Sequence, residues 1–343
     1  MTRIFRHSLA AFALLLMCGG AGGYEVDLAA AESARNEFIE TMVRTHGFDR
    51  RELTELLAGA EILDRVLEAI SRPAERVMPW HEYRDIFVTE SRIAEGAEFW
   101  YQHEEDIAAA SARFGVAPEM IVAILGVETL YGRITGSYRV LDSLSTLAFA
   151  YPPRSRFFTS ELEHFLLLAR EEGVDPREML GSYAGAMGAG QFISSSFRAY
   201  AVDGDDDGRR DMWGNWRDVF ASVANYFAAH GWRSGQPVVD RATRGASWSD
   251  DDRENSIELT ETVASASDLG YVFSTEMPSS AAVTLLSLEG RDEQEYWVGY
   301  HNFYVITRYN RSEKYALAAY DLSQAIRVSY EALRESRGAA SGV

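Results

Sequence analysis

Two residue types are almost missing from this chain. Of 343 residues one is cysteine, Cys18, and one is lysine, Lys314. A single cysteine excludes any intramolecular disulfide. The 33 Lys plus Arg face 52 Asp plus Glu, a net charge of −19, and nearly all the cations are arginine. Such a balance lacks the basic face of a nucleic-acid binder, so no nucleic-acid partner is expected. No apolar run reaches the roughly 20 residues that span a bilayer as a helix. Internal repeats and low-complexity blocks are absent too. With 47% hydrophobic and 25% charged residues, the chain is ordinary for a folded protein and excludes wholesale disorder. Its length suffices for two compact units.

What is present begins with the N-terminus. Arg3, Arg6 and His7 precede "LAAFALLLMC" and then "GGAGG", which reads as a secretion signal over 1–23, the alternative being an ordinary hydrophobic first helix. The mature protein is expected outside the cytoplasm. In Leu15-Leu16-Met17-Cys18 the leucine fits the signal of a lipid-anchored protein ending before Cys18, whereas Met17 stands where a small residue is usual. Cleavage within "AGG" would release a soluble protein, and both outcomes stay open.

Residues 24–100 carry helical periodicity from about Glu32 onward, with Phe38, Met42, Leu53, Leu56 and Leu57 three to four apart. "HEYRDIFV" reads as a helix, and "SRIAEGAEFWYQHEEDIAAASARF" as one long regular helix ended by Gly115. Pro118 sits where another begins, and two further amphipathic helices close on glycine within 101–235. After Gly235, short β-branched stretches such as "AAVTLLSLEG" point to a small β-rich unit over 236–300. A last helix lies within 301–333, and the tail 334–343 is expected to be disordered. The class is therefore mainly α (α+β).

"IVAILGVETLYG" places Glu128 at the end of an apolar run. On a helix from Pro118, Ile121, Ile124, Leu125 and Glu128 share one face, and desolvation there favours the acid over the carboxylate, as a general acid needs. The competing reading is a buried Glu paired with Arg133 or Arg139. "GSYAGAMGAGQF" (181–192) is glycine-rich enough to turn tightly and let a ligand approach, but lacks the lysine of a phosphate loop. "DGDDDGRRDMW" places Asp203, Asp205 and Asp207 before Gly208, the first half of a calcium loop, with the Arg209 carbonyl next in line. The twelfth position is Gly214, not glutamate, so Asp218 would complete a longer loop. An acidic surface turn is the alternative. A single incomplete loop does not suit a calcium sensor. Trp100, Tyr101, Tyr131, Tyr183, Phe192, Tyr226, Tyr300, Tyr304, Tyr309 and Tyr315 flank these motifs, each a core candidate and together suggestive of glycan binding.

"GVETLYG", "LDSLSTLAFAYPPRSRFFTSELEHFLLLA", "GSYAGAMGAGQFISSSFRAYAVDGDDDGRRDMW", "SVANYFAAHGW" and "NFYVITRYNRSEKYALA" occur in the order of one family. From about Glu32 to Glu331 the chain resembles the B-type lytic murein transglycosylases of Gram-negative bacteria. That resemblance implies a lysozyme-like catalytic core, an additional helical domain built from both chain ends, and a small β domain. It implies cleavage of the β-1,4 bond between N-acetylmuramic acid and N-acetylglucosamine in peptidoglycan, with the muramyl 6-hydroxyl as acceptor and a 1,6-anhydro end as product. An ordinary glycosidase needs two carboxylates. These enzymes resemble one another in using one, and the match makes Glu128 that acid and then base. Asp142 and Glu161 carry nothing that marks them as nucleophiles.

Matching positions give Ser182, Gln191, Tyr226, Tyr309, Asn310, Tyr315 and Tyr83 as glycan-cleft residues, Gln191 and Asn310 toward sugar amides, the tyrosines stacking or donating. The family's long EF-hand-like loop matches Asp203, Asp205, Asp207, the Arg209 carbonyl and Asp218. A structural Ca2+ or Na+ is implied there, and no cofactor for catalysis. Expected partners are peptidoglycan strands and other cell-wall enzymes, for a monomer in the periplasm, lipid-anchored to the outer membrane if Cys18 is retained. A muramidase using water, and a non-catalytic peptidoglycan-binding protein, are the readings to be separated from this one.

Overall fold

The computed structural model describes residues 26–71, 78–248 and 254–341. The signal over 1–23 and Cys18 lie outside them. The described chain divides into two compact units, and both are discontinuous in sequence. One joins 78–131 to 220–341; the other joins 26–71 to 132–219. The division cuts through 101–235, because the helices before Gly132 pack with the C-terminal helix, while Val140–Ala150 packs with the N-terminal helices Leu28–His46 and Asp64–Ser71.

In the first unit the helix Pro118–Thr129 is central. Pro118 opens it at a position where a missing N–H costs nothing, and Met120 through Val127 are all buried. Such a helix has no polar face, so it lies inside the unit rather than along its surface. It packs on Glu90–Gln102 and on the long helix Glu313–Ser341. Close approach is possible because Gly96 and Gly126 are small: a Cβ at Gly96 would lie 2.8 Å from Ile326. Trp100 stacks on Tyr330 at 4.0 Å.

The single helix expected over 91–114 is two, Glu90–Gln102 and Glu104–Phe114. His103 leaves the helical region at φ −117°, and its ring packs on Phe99 and Phe220. Side-chain packing there overrides a continuous helical pattern. The tail is also corrected. The last helix runs to Ser341, and Arg334 and Arg337 pair with Glu104 and Glu98 while Arg337 covers the Tyr101 ring. A polar composition thus conceals partners that lie far away in sequence.

The β-rich part is a five-stranded antiparallel sheet in the order Glu261–Thr262, Ala282–Glu289, Gln294–Gly299, Val239–Arg244, Tyr271–Val272. Leu285 faces Val298 across the central pair, and Val283, Leu285, Tyr296, Val298 and Tyr300 form its core. Most of "ENSIELTETV" is not strand. Thr262 and Ser265 cap each other reciprocally and start the helix Val263–Asp268.

In the second unit Asp27 caps Leu28–His46, and Gly47 ends it in the left-handed region. Every residue of Val140–Ala150 is buried, including Asp142. Its carboxylate takes two hydrogen bonds from Arg139, each 2.7 Å, and one from the Glu61 N–H. Ser155–Glu172 packs against it and buries Glu161, whose Oε2 accepts from the Ser195 N–H at 2.9 Å. Both carboxylates are therefore interior residues committed to the scaffold rather than exposed helix faces.

Candidate active site

Glu128 occupies the last turn of the all-apolar helix, and its position there is unlike that of its neighbours. Ile121 through Val127 are buried, whereas Glu128 is half-buried, so the carboxylate reaches the edge of its unit. The hydroxyl of Tyr315 donates to its Oε1 at 2.5 Å. Tyr315 lies in the first turn of the long C-terminal helix, and Ser312 caps it: the Tyr315 N–H donates to Ser312 Oγ. Burial first, and then the neighbouring Glu128 carboxylate and Tyr309, push the Tyr315 hydroxyl well above its ordinary range. It stays a proton donor at any pH the protein meets.

Tyr309 is pushed up in the same way, by burial and then by Glu128 and Tyr226. Its ring lies 4.8 Å from that of Tyr226, whose hydroxyl donates to the Arg308 carbonyl at 2.6 Å. Tyr83 contributes to the field at Tyr315 and packs on Phe87. Asn310 ends the helix His301–Tyr309 directly after Tyr309. The structure thus gathers Glu128, Tyr315, Tyr309, Tyr226 and Tyr83 in one unit, with Asn310 on the adjoining cap. One expectation changes in kind. The four tyrosines are only 1–3% exposed, so their rings build the wall around Glu128 and are not open stacking faces. Tyr131 and Trp100 are core residues as well.

The turn after Glu128 is strained. Leu130, Tyr131 and Gly132 follow one another at φ 51°, 60° and 82°. Two of them are not glycine, and each such residue costs on the order of 1 kcal/mol or more. The Tyr131 hydroxyl holds the turn by donating to the Arg92 carbonyl at 2.6 Å, while its ring stacks on Phe99 at 5.3 Å. Added Cβ atoms at Gly96 and Gly126 would both meet that hydroxyl, which explains the glycine in "LGVE". Sequence reasoning missed this role of Tyr131; two glycines in different helices serving one hydroxyl leave no spacing signal.

Ser182 and Gln191 belong to the second unit. Ser182 closes a tight turn: its Oγ accepts from Ala186 N–H at 3.0 Å, and its own N–H donates to the Ala186 carbonyl. Gln191 adopts φ 50°, and its Nε2 donates to the carbonyls of Thr135 and Gly188, each at 3.0 Å. Both amide hydrogens are spent on the backbone, so this side chain meets a ligand as an acceptor only. Gly188 is required here, since a Cβ would lie 2.4 Å from the Met212 carbonyl.

The acidic loop follows in the same unit. One carboxylate oxygen each of Asp203, Asp205 and Asp218 lie within 4.8 Å of one another. Asp218 is fully buried and accepts from Gly204 N–H and Asp211 N–H, each at 2.7 Å. Desolvation raises its carboxyl above the ordinary range, opposed by those two N–H groups and reinforced by Asp205 and Asp203. Asp203 instead accepts from Gly208 N–H at 2.7 Å and Asp207 N–H at 3.2 Å. The structure does not bring Asp207 into the three-carboxylate cluster: its carboxylate accepts from the Arg209 N–H at 2.9 Å. Hard oxygen donors at this spacing, one of them buried, fit a calcium-sized cation better than a bare acidic turn. Asp211, which by spacing stands at the ninth position of a calcium loop, is not in the three-carboxylate cluster either. Its carboxylate receives the N–H groups of Trp213 and Gly214 and turns the chain out of the loop.

A mainly helical fold with one carboxylic acid at the end of a buried helix and a carboxylate loop is consistent with the class that the motifs resemble, the lytic transglycosylases. Comparison with known proteins agrees. Residues 30–324 match the family model of the transglycosylase SLT domain, and the chain belongs to that family. It is 42% identical over 299 residues, 84% of this chain and 81% of the relative, to membrane-bound lytic murein transglycosylase B of Escherichia coli (strain K12). The crystal structure of soluble lytic transglycosylase SltB1 from Pseudomonas aeruginosa matches with a TM-score of 0.82 at 48% identity, covering 86% of this chain and 98% of that one. Escherichia coli Slt35 in complex with calcium matches with a TM-score of 0.80 at 40% identity, covering 87% and 93%. Pseudomonas aeruginosa SltB3 in complex with NAG-NAM-pentapeptide gives 0.75 at 30% identity, covering 87% and 80%. This chain is a lytic transglycosylase.

Proposed function

We propose that the chain cleaves the β-1,4 bond between N-acetylmuramic acid and N-acetylglucosamine without water, Glu128 acting as its sole acid and base. The observation that carries this is the Tyr315–Glu128 hydrogen bond at the mouth of a buried helix. Protonated Glu128 gives its proton to the glycosidic oxygen as the C1–O bond breaks, and the N-acetylglucosamine end leaves with a 4-hydroxyl. The Glu128 carboxylate then takes the proton of the muramyl 6-hydroxyl, whose oxygen bonds to C1. One proton leaves Glu128 and one returns, and no water is consumed. The Tyr315 hydroxyl stabilises the carboxylate between the two steps. Asp142 and Glu161, committed to Arg139 and Ser195 N–H, supply no second carboxylate. Gln191 accepts from a sugar N–H or O–H, and Asn310 lies beside Tyr309 for the same task.

The cation reading rests on Asp203, Asp205 and Asp218. They would hold Ca2+, or Na+, with Asp207 and the Arg209 carbonyl as further donors, and the ion would neutralise charge that the fold brings together. SltB3 has been solved with a peptidoglycan fragment and Slt35 with calcium, which supports both assignments. A periplasmic location follows from the signal and the substrate, and the Escherichia coli relative is membrane-bound; retention of Cys18 would anchor this chain likewise.

Mass analysis of digested sacculi tests the chemistry. Anhydromuramyl ends are expected from wild type and none from Glu128→Gln; reducing ends would establish a water-using muramidase instead. Undiminished lysis by Glu128→Gln would remove the residue from the mechanism.

A further inference from the structure

Seven large apolar side chains are exposed among the described residues, and three of them belong to the segments that carry Gln191 and Ser182. These are Trp213, 37% exposed, Leu180, 45%, and Ile134, 51%. Trp213 Nε1 donates to the Leu180 carbonyl at 3.3 Å, which pins the polar edge of the indole, and the ring packs on buried Phe197 at 5.9 Å while the rest of its apolar body meets solvent. Leu180 lies on the short strand that ends at Gly181, next to Ser182. Ile134 precedes Thr135, whose carbonyl holds the Gln191 amide. Gly136 draws the two segments together, since a Cβ there would lie 2.1 Å from the Gly181 carbonyl.

Trp213 is also held from below. The Asp211 carboxylate fixes its N–H at 2.8 Å, and the Met212 carbonyl accepts from Ala189 N–H at 2.9 Å, two residues before Gln191. A large aromatic exposed to solvent normally costs hydrophobic free energy. Here it is fixed by two hydrogen bonds of its own, to the Leu180 carbonyl and the Asp211 carboxylate, and by the anchored carbonyl of the preceding residue. A pyranose ring offers what such a surface takes: a flat face of C–H groups for the indole, with N–H and O–H groups at its rim.

We propose that the Trp213–Leu180 strip is a further glycan subsite, where one sugar ring of the strand stacks on the Trp213 indole in the unit that carries Gln191. The proposal rests on the reading of the chain as a peptidoglycan-cleaving enzyme. It adds a residue that the matching of family motifs did not mark.

Binding is measured with full-length Glu128→Gln protein on purified sacculi, intact and stripped of stem peptides, so that turnover does not interfere. Adding Trp213→Ala is expected to weaken binding about 3- to 10-fold on both materials, the scale of one lost aromatic contact. Trp213→Phe should retain most of the affinity. Trp213→Leu, which keeps apolar bulk without a ring, should lose it while melting within a few degrees of the parent, which separates stacking from folding. Parent-like binding by both Trp213→Leu and Trp213→Ala would overturn the subsite and leave the catalytic reading intact. A loss on intact sacculi only would assign the strip to the peptide and overturn the sugar. Failure of the Glu128→Gln parent to bind either material would overturn the functional reading and the subsite with it.

Discussion

Tyr315 and Glu128 are 187 positions apart, and one hydrogen bond of 2.5 Å joins the first turn of the last helix to the last turn of the central one. The acid is held by a residue made long after it, in a tyrosine wall that no local motif contains.

Tyr315→Phe removes that bond and little else. Hydrogen bonds to charged groups contribute about 1.5–3 kcal/mol, so kcat/KM should fall roughly 10- to 150-fold. Release of soluble muropeptides from sacculi measures it. Activity within twofold of wild type would mean that the bond has no part in catalysis.

Gly126→Ala tests the strained turn. Its Cβ would lie 2.8–2.9 Å from the Tyr131 hydroxyl and ring, and overpacking of this kind costs about 1–3 kcal/mol. The melting temperature should drop, and activity should drop further than stability explains, because Glu128 stands two residues away. Thermal melts paired with kcat at a temperature where the variant is folded separate the two.

Acid should weaken the first unit. His230, His103 and His301 all titrate below the ordinary histidine value, each chiefly through burial. The unfolded chain therefore takes up protons first, at about pH 6.5, while the folded chain stays neutral there. Stability is full above that pH and is lost as pH falls toward the lowered folded values. Asp321, raised by burial against its Arg84 partner, works in the opposite sense within the carboxylate range. Melting temperatures between pH 7.5 and 5.5 should decline, and less steeply in His230→Gln. A flat profile would contradict the burial of these rings.

The cation proposed for Asp203, Asp205 and Asp218 makes the second unit sensitive to chelation. Chelation is expected to lower the melting temperature of wild type, calcium to restore it, and Asp203→Asn to respond to neither. Calorimetry with calcium gives the affinity directly; no heat of binding and no effect of chelator would leave the acidic loop as a self-sufficient turn.

Much of this was legible in the residues. Pro118, Gly115, Gly173 and the alternation after Gly235 mark their elements locally, and the acidic loop announces itself by spacing. Glu128 was legible as an acid at an apolar helix end, though its half-exposure was not, because a helix buried on every side gives no face to read. The break at His103 and the ordered tail past Arg334 depend on partners far away in sequence, Phe220 in one case, Glu98 and Glu104 in the other. The tyrosines are the clearest limit: matching to the family singled them out, and only the structure showed that they face inward.

Both units are assembled from separated stretches, and this orders the molecule's own synthesis. The unit holding the acidic loop has all its parts once residue 219 has emerged. The unit holding Glu128 waits for the helix that begins at Glu313. A growing chain therefore carries its acid for some 187 residues without the hydroxyl that completes it. The surroundings of Glu128 are thereby complete only when translation of the chain is nearly finished.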